Sequence, residues 1–117
     1  MKILSLSTDQ ELSLFRKRVL EVAGHEVLAL STEKEALEEA ASPRPFDVLL
    51  ICHRLPDATA RKAIRLFRDS HRDVKVVYVV HLYGEWPEVE ADRYVVGADG
   101  PDALLRVVSE AASPATS

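Results

Sequence analysis

The stretch FDVLLI at residues 46–51 is the clearest indication of the fold, because it is a nearly continuous apolar run between Pro45 and Pro56. Such a run is typical of a strand that is covered on both faces, as in a parallel sheet. The segments on either side of it alternate between strand and helix patterns. A parallel sheet with right-handed helical crossovers requires this alternation.

A strand is predicted at Lys2–Leu6, and a helix follows it. Thr8 and Glu11 form a capping-box pattern, with Thr8 at the N-cap and Glu11 three residues later. Gly24 is typical of the residue just beyond a helix end. The predicted inward face of this helix carries Leu12, Phe15, Val19 and Val22.

A second strand is predicted at residues 25–30, followed by a helix that Ser31 or Thr32 caps. This helix ends at Ser42, because the residue before a proline, here Pro43, disfavours helical geometry. Its apolar positions are Ala36, Leu37 and Ala40.

The elements after residue 56 are a third helix, a fourth strand at residues 74–80, a fifth strand at Arg93–Val96 and a last helix that opens on Pro101. The inward faces of the two helices carry Ala60, Ala63, Ile64 and Phe67 in the third and Leu104, Val107, Val108 and Ala111 in the last. Residues 113–117 are small and polar, and we expect them to form a disordered tail.

These elements predict one α/β domain at residues 1–112, a flavodoxin-like three-layer sandwich. Its five-stranded parallel sheet has the order 2-1-3-4-5, with helices on both faces. Only 16 residues separate Val80 from Gly97, and Gly84 and Pro87 stand among them, so the fourth helix is predicted to be shortened. Ligands of such sheets bind at the carboxyl ends of the strands.

The composition narrows the classes of function. The chain has 117 residues, a net charge of −4 and one cysteine. The charge disfavours nucleic acid and anionic membrane surfaces, and one cysteine cannot form an internal disulfide. No membrane-spanning run or secretory signal is visible, so a cytoplasmic location is expected.

Several motifs lie in the order and spacing found in the receiver domains of two-component response regulators, and nearly the whole chain resembles that family. The matching segments are Gly24-His25-Glu26-Val27, Glu35-Ala36-Leu37, Asp47-Val48-Leu49-Leu50-Ile51 with Leu55-Pro56, Ala91-Asp92-Arg93-Tyr94-Val95, and Pro101-Asp102-Ala103-Leu104-Leu105. The resemblance implies a role in phosphorelay signalling.

The resemblance implies a phosphorylation pocket at the strand ends, but at each of these strand ends the chain lacks the residue type that phosphorylation requires. Ser7 and Thr8 stand where receivers carry the acidic pair that holds Mg²⁺, and Cys52 replaces the phosphoacceptor aspartate. Val80 replaces the Ser or Thr after strand four, and Gly97 replaces the lysine after strand five. We therefore expect a degenerate pseudo-receiver, because phosphoryl transfer depends on positioning and charge neutralisation.

Two alternatives remain open from the sequence. One is a phosphorylatable regulator that uses Asp9 or Asp57 by rearrangement, whereas Asp47 lies at the opposite end of its strand. The other is a redox sensor based on Cys52, although only Arg54 is clearly near it as a cation, and a buried, inert thiol is the simpler interpretation.

Cys52, His53, His81 and Asp9 fall near one edge of the sheet, but their spacing matches no known metal motif, and chance explains the cluster better. The sequence carries no catalytic triad, glycine-rich phosphate loop or metal motif. No enzymatic activity, metal or cofactor is therefore expected.

The expected function is that of a stand-alone protein–protein interaction module without an attached output domain. The predicted partner surface contains Tyr83, Trp86 and Tyr94, and a homodimer through this side is a further hypothesis. A basic stripe on the third helix is either a solvated face or a docking site for an acidic protein, and comprises Arg61, Arg65, Arg68 and Arg72.

Overall fold

The computed structural model describes residues 1–42, 44–71, 73–81 and 89–112. Five strands form one sheet: β1 Lys2–Leu6, β2 Glu26–Leu30, β3 Val48–Cys52, β4 Lys75–Val80 and β5 Arg93–Val96. The described helices are α1 Gln10–Val22, α2 Glu33–Ala40, α3 Asp57–Ser70 and α4 Pro101–Ala112, with a 3₁₀ turn at Gly97–Asp99.

All strand pairs are parallel, and the order across the sheet is β2-β1-β3-β4-β5. The predicted flavodoxin-like topology is therefore confirmed. Cys52 pairs with Val79, and these two residues form the last pair between β3 and β4. The shortened helix that the sequence predicted between β4 and β5 falls largely on residues 82–88, and the predicted tail on residues 113–117; both predictions lie outside the described residues.

Two apolar layers cover the central strand. One layer joins α2 and α3 to the sheet through side chains such as Ala36 and Phe67. The other joins α1 and α4 to the opposite face through side chains such as Leu20 and Val108. Every residue of β3 is buried, because helices cover both faces of this strand. The described helices include none that is long and apolar enough to cross a bilayer.

The start of α1 differs from the prediction by one residue. Asp9, not Thr8, is the N-cap, and its Oδ1 accepts a hydrogen bond from the backbone N–H of Leu12 at 3.1 Å. Ser, Thr and Asp are all good caps, so the sequence alone offered several starts. The cap of α2 at Thr32 is confirmed: its hydroxyl accepts from the N–H of Glu35 at 3.2 Å and donates to that carboxylate at 3.0 Å.

The inward face of α1 was predicted wrongly. Phe15 is 55% exposed and Val22 is 90% exposed, whereas Leu12 and Val19 are half-buried. The buried face instead carries Ser13, Arg16 and Leu20. These positions are the predicted ones rotated by one residue, or about 100° around the helix axis.

Other corrections concern strand ends. β3 begins at Val48 and includes Cys52, two residues later at its start and one later at its end than the predicted run of residues 46–51. Asp47 lies just before β3, and its carboxylate accepts a hydrogen bond from the N–H of Lys2 at 2.8 Å. β2 begins one residue later than predicted, at Glu26, and β4 one residue later, at Lys75. The predicted inward face of α3 is confirmed in full. In α4, Ala103 joins that face and Val107 is only half-buried.

Phe67→Ala is expected to lower the free energy of unfolding by about 3–5 kcal/mol, because truncating a fully buried aromatic leaves a cavity. Phe67 is 0% exposed and contacts Phe46 edge to face at 6.4 Å between ring centroids. Urea denaturation measures the change. Phe15→Ala is the matched control, with an expected loss below about 1 kcal/mol. Equal losses for the two variants would contradict the assigned core.

Candidate functional site

A cleft of about 470 Å³ opens at the carboxyl ends of the strands. We call it the strand-end cleft; its lining residues are Asp9, Glu11, Leu12, Arg16, His53, Arg54, His81, Gly97 and Ala98. They come from the segments that follow β1, β3, β4 and β5 and from α1. The parallel topology brings these segments together, because all the strands end at one edge.

The two hydroxyls after β1 are engaged in local hydrogen bonds. Ser7 is buried, and its Oγ accepts from the N–H of Asp9 at 3.2 Å and lies 3.3 Å from the carbonyl oxygen of the same residue. Thr8 donates its hydroxyl to the carbonyl oxygen of Arg54 at 3.4 Å. These contacts fix the loop after β1 and tie it to the loop after β3.

Cys52 contacts a buried arginine. The Nη1 of Arg16 donates to the Sγ of Cys52 at 3.1 Å, and the two residues are only 7% and 2% exposed. Within the described residues, the guanidinium has no carboxylate within 4.0 Å. Arg54, which the sequence suggested as the cation near the cysteine, instead lies 3.9 Å from the carboxylate of Asp9.

Arg16 spans the gap between the ends of β3 and β5. A Cβ atom added to Gly97 would lie 3.8 Å from the Nη2 of Arg16 and 3.5 Å from the carbonyl oxygen of Val80. Both are ordinary contact distances, so glycine leaves room on this side of the guanidinium. Gly97, which follows β5, therefore leaves space beside the guanidinium, and α1 supplies the buried cation, Arg16.

Sequence reasoning missed Arg16. A single arginine in an amphipathic helix is normally assigned to solvent, since long charged side chains are rarely buried without a partner. The available signal was its spacing, because Ser13, Arg16 and Leu20 share one helix face. The spacing alone did not distinguish this face from the neighbouring one with Leu12, Phe15 and Val19, because both faces have the same spacing.

Two imidazoles lie at the rim of the cleft. The rings of His53 and His81 stack with 5.0 Å between centroids and 29° between planes. The Nδ1 of His53 is 3.7 Å from the Sγ of Cys52. Across the described part of the chain, no group of three or more His, Cys, Asp or Glu side chains is arranged to hold a metal ion. The cluster with Asp9 considered from the sequence is therefore not assembled there.

The other acidic candidates lie where the sequence placed them. Asp47 precedes β3 at the opposite end of the sheet, and Asp57 is the first residue of α3. Neither lines the strand-end cleft.

Tyr94 belongs to the partner surface proposed from the sequence. Its hydroxyl donates to the carbonyl oxygen of Val89 and accepts from the N–H of Ala91, so it anchors the segment before β5. The ring is 38% exposed and lies 6.2 Å from Tyr78. Burial, with a smaller contribution from Asp57, raises the pKa of Tyr78. Tyr83 and Trp86 lie outside the described residues.

The basic stripe on α3 is exposed at Arg61, Arg65 and Arg68, and Arg72 lies outside the described residues. Arg68 also forms an ion pair with Asp92 at 3.3 Å, and the same carboxylate accepts from the N–H of Val76 at 2.7 Å. Arg68 therefore links α3 to the carboxylate that joins the segment before β5 to β4.

Solved structures similar to this chain include receiver domains. Chemotaxis protein CheY4 of Vibrio cholerae is 21% identical with a TM-score of 0.79, covering 94% of this chain and 97% of that chain. A response regulator receiver protein from Sinorhizobium medicae is 23% identical with a TM-score of 0.79, covering 96% and 94%. A chain from the complex of histidine kinase ThkA with response regulator protein TrrA is 21% identical with a TM-score of 0.79, covering 96% and 98%.

No protein-family model and no curated protein sequence matches the chain. At these identities, the structural likeness shows that the chain has the fold of CheY-like receiver domains.

Arg16→Met is expected to raise the free energy of unfolding by about 1 kcal/mol, because it removes a buried cation without a carboxylate partner and keeps most of the side-chain volume. Urea denaturation at low ionic strength measures the change in the free energy of unfolding. The matched control is Arg18→Met, an exposed arginine on the same helix, with an expected change within about 0.5 kcal/mol. A loss of stability in Arg16→Met beyond that of the control would show that the cation is already compensated.

Proposed function

We propose that this chain is a receiver-like signalling domain that acts through protein–protein contacts without being phosphorylated. The observation that carries the proposal is the pairing of Cys52 with Arg16. A thiol stands at the end of β3, where the receiver resemblance calls for a carboxylate. A guanidinium lies 3.1 Å from its sulfur.

The surroundings of Cys52 support the same conclusion. Transfer of a phosphoryl group to a carboxylate requires a divalent cation and a positioned acceptor. Ser7 and Thr8 supply hydroxyls that already bond to backbone atoms, and Asp9 caps α1 and faces Arg54. The cleft therefore offers a fixed cation where the phosphorylation cycle would need an acidic metal site.

A protein partner is proposed by analogy with the complex of histidine kinase ThkA and response regulator protein TrrA. Two surfaces of this chain suit such contacts. One is the side that carries Tyr94 and the exposed arginines of α3. The other is the outer face of α1, where Leu14 and Phe15 are each 55% exposed. Exposed large apolar side chains on one helix are a common feature of binding surfaces.

Incubation with Mg²⁺ and acetyl phosphate, followed by intact-mass spectrometry, tests the absence of phosphorylation. We expect no phosphoryl adduct, because no pair of acidic residues stands directly after β1 to hold Mg²⁺, and the carboxylate of Asp9 caps α1 and lies beside Arg54. A receiver known to accept phosphate from the same donor serves as the positive control. An adduct that disappears in Asp9→Asn or Asp57→Asn would refute the proposal and identify the acceptor.

A second candidate, a redox sensor based on Cys52, is favoured by one observation: the Nη1 of Arg16 lies 3.1 Å from the Cys52 sulfur, and reactive cysteines commonly lie in electropositive surroundings. Its burial argues against rapid reaction. The test is the rate of hydrogen peroxide consumption by the thiol, compared between the native protein, the protein in urea and Cys52→Ser. We expect the native thiol to react at least about tenfold more slowly than the unfolded one, since reaction requires local opening. A faster native thiol would favour the sensor.

A further inference from the structure

Arg16 is a buried cation without a carboxylate partner among the described residues. Taking a guanidinium out of water costs several kcal/mol unless an anion or a full set of hydrogen bonds compensates it. The one side-chain contact found for it among the described residues is the donor bond to the Cys52 sulfur, a weak acceptor. A buried cation in this condition is well suited to an anionic ligand.

The position of Arg16 makes such a ligand accessible. Although only 7% exposed, Arg16 is one of the residues that line the strand-end cleft, together with Gly97. Its Nη1 is directed at Cys52, and its Nη2 lies on the side where Gly97 has no side chain. A volume of about 470 Å³ lies within the usual range for small-molecule sites of roughly 300–1,000 Å³.

The other charges of the cleft are arranged around this cation. Arg54, His53 and His81 add nitrogen donors at the rim. Of the two carboxylates, Asp9 is engaged with the N–H of Leu12 and with Arg54. Glu11 is exposed on the first turn of α1. The deepest charged group is therefore a cation, and the engaged carboxylate lies towards the entrance.

From these observations we propose that the strand-end cleft binds a free tetrahedral oxyanion of the phosphate or sulfate class, non-covalently, with the Arg16 guanidinium as its main ligand. A guanidinium offers several N–H donors in one plane and binds such oxyanions through paired hydrogen bonds. Arg54 and the stacked imidazoles supply further donors from the rim. The ligand would neutralise the buried charge of Arg16, for which the described residues supply no carboxylate.

This inference goes beyond the proposed function and does not depend on it. The site uses a cation from α1, needs no Mg²⁺ and forms no covalent bond. Binding of inorganic phosphate and phosphorylation by acetyl phosphate are separate measurements, so either result can fail without the other.

Isothermal titration with inorganic phosphate and with sulfate, at pH 7 and constant ionic strength, tests the site. We expect saturable binding at one site per chain, at least about tenfold weaker in Arg16→Met because the paired donors are lost. Arg18→Met is the matched control and should bind as the parent does. Sodium chloride and sodium acetate at equal ionic strength test whether charge alone, or a planar carboxylate, suffices.

Two further variants keep the test decisive if Arg16→Met folds poorly. Arg16→Lys retains the charge but not the planar donors, and Gly97→Leu fills the space beside Nη2 while leaving Arg16 in place. Both should weaken phosphate binding. Thermal unfolding provides an independent readout, since a ligand of the native state raises the melting temperature by mass action.

Three outcomes would overturn the proposal. The first is phosphate binding that never saturates and equals the effect of chloride. The second is saturable binding that is unchanged in Arg16→Met, Arg16→Lys and Gly97→Leu. The third is a clear preference for acetate, which would assign the cleft to carboxylates.

Discussion

The burial of β3 on both faces governs how the helices and the other strands are arranged. All five of its residues are buried, with β1 and β4 as its neighbours in the sheet. A strand in this position needs an apolar layer on each side, and the alternating helices supply them. The same parallel topology gathers the strand ends at one edge, so the core arrangement also creates the cleft.

At that edge, the charged side chain of Arg16 is buried. The guanidinium of Arg16 is buried against the sulfur of Cys52, and within the described residues no carboxylate accompanies it. Local arrangements that cost free energy commonly occur at functional sites, where a ligand completes the interaction. On this interpretation, an anionic ligand would complete the contacts of Arg16 at the ends of β3 and β5.

The orientation of α1 connects the cleft to the outer surface. The rotation that brings Arg16 and Leu20 inward also turns Phe15 and Val22 towards solvent. One helix therefore contributes the buried cation on its inner face and an exposed apolar surface on its outer face. Since α1 is a rigid element between the two, a ligand in the cleft and a protein on the surface would contact the same helix.

The strand order, the layer architecture and most helix faces could be predicted from the sequence, because the period of apolar residues and the turn residues are local signals. The sequence also placed Ser7, Cys52 and Gly97 at or just after the carboxyl ends of β1, β3 and β5, where the structure has them. The burial of Arg16 became evident only from the tertiary structure. Successive positions on a helix point about 100° apart, and packing of α1 against the sheet and α4 fixes which of them face inward.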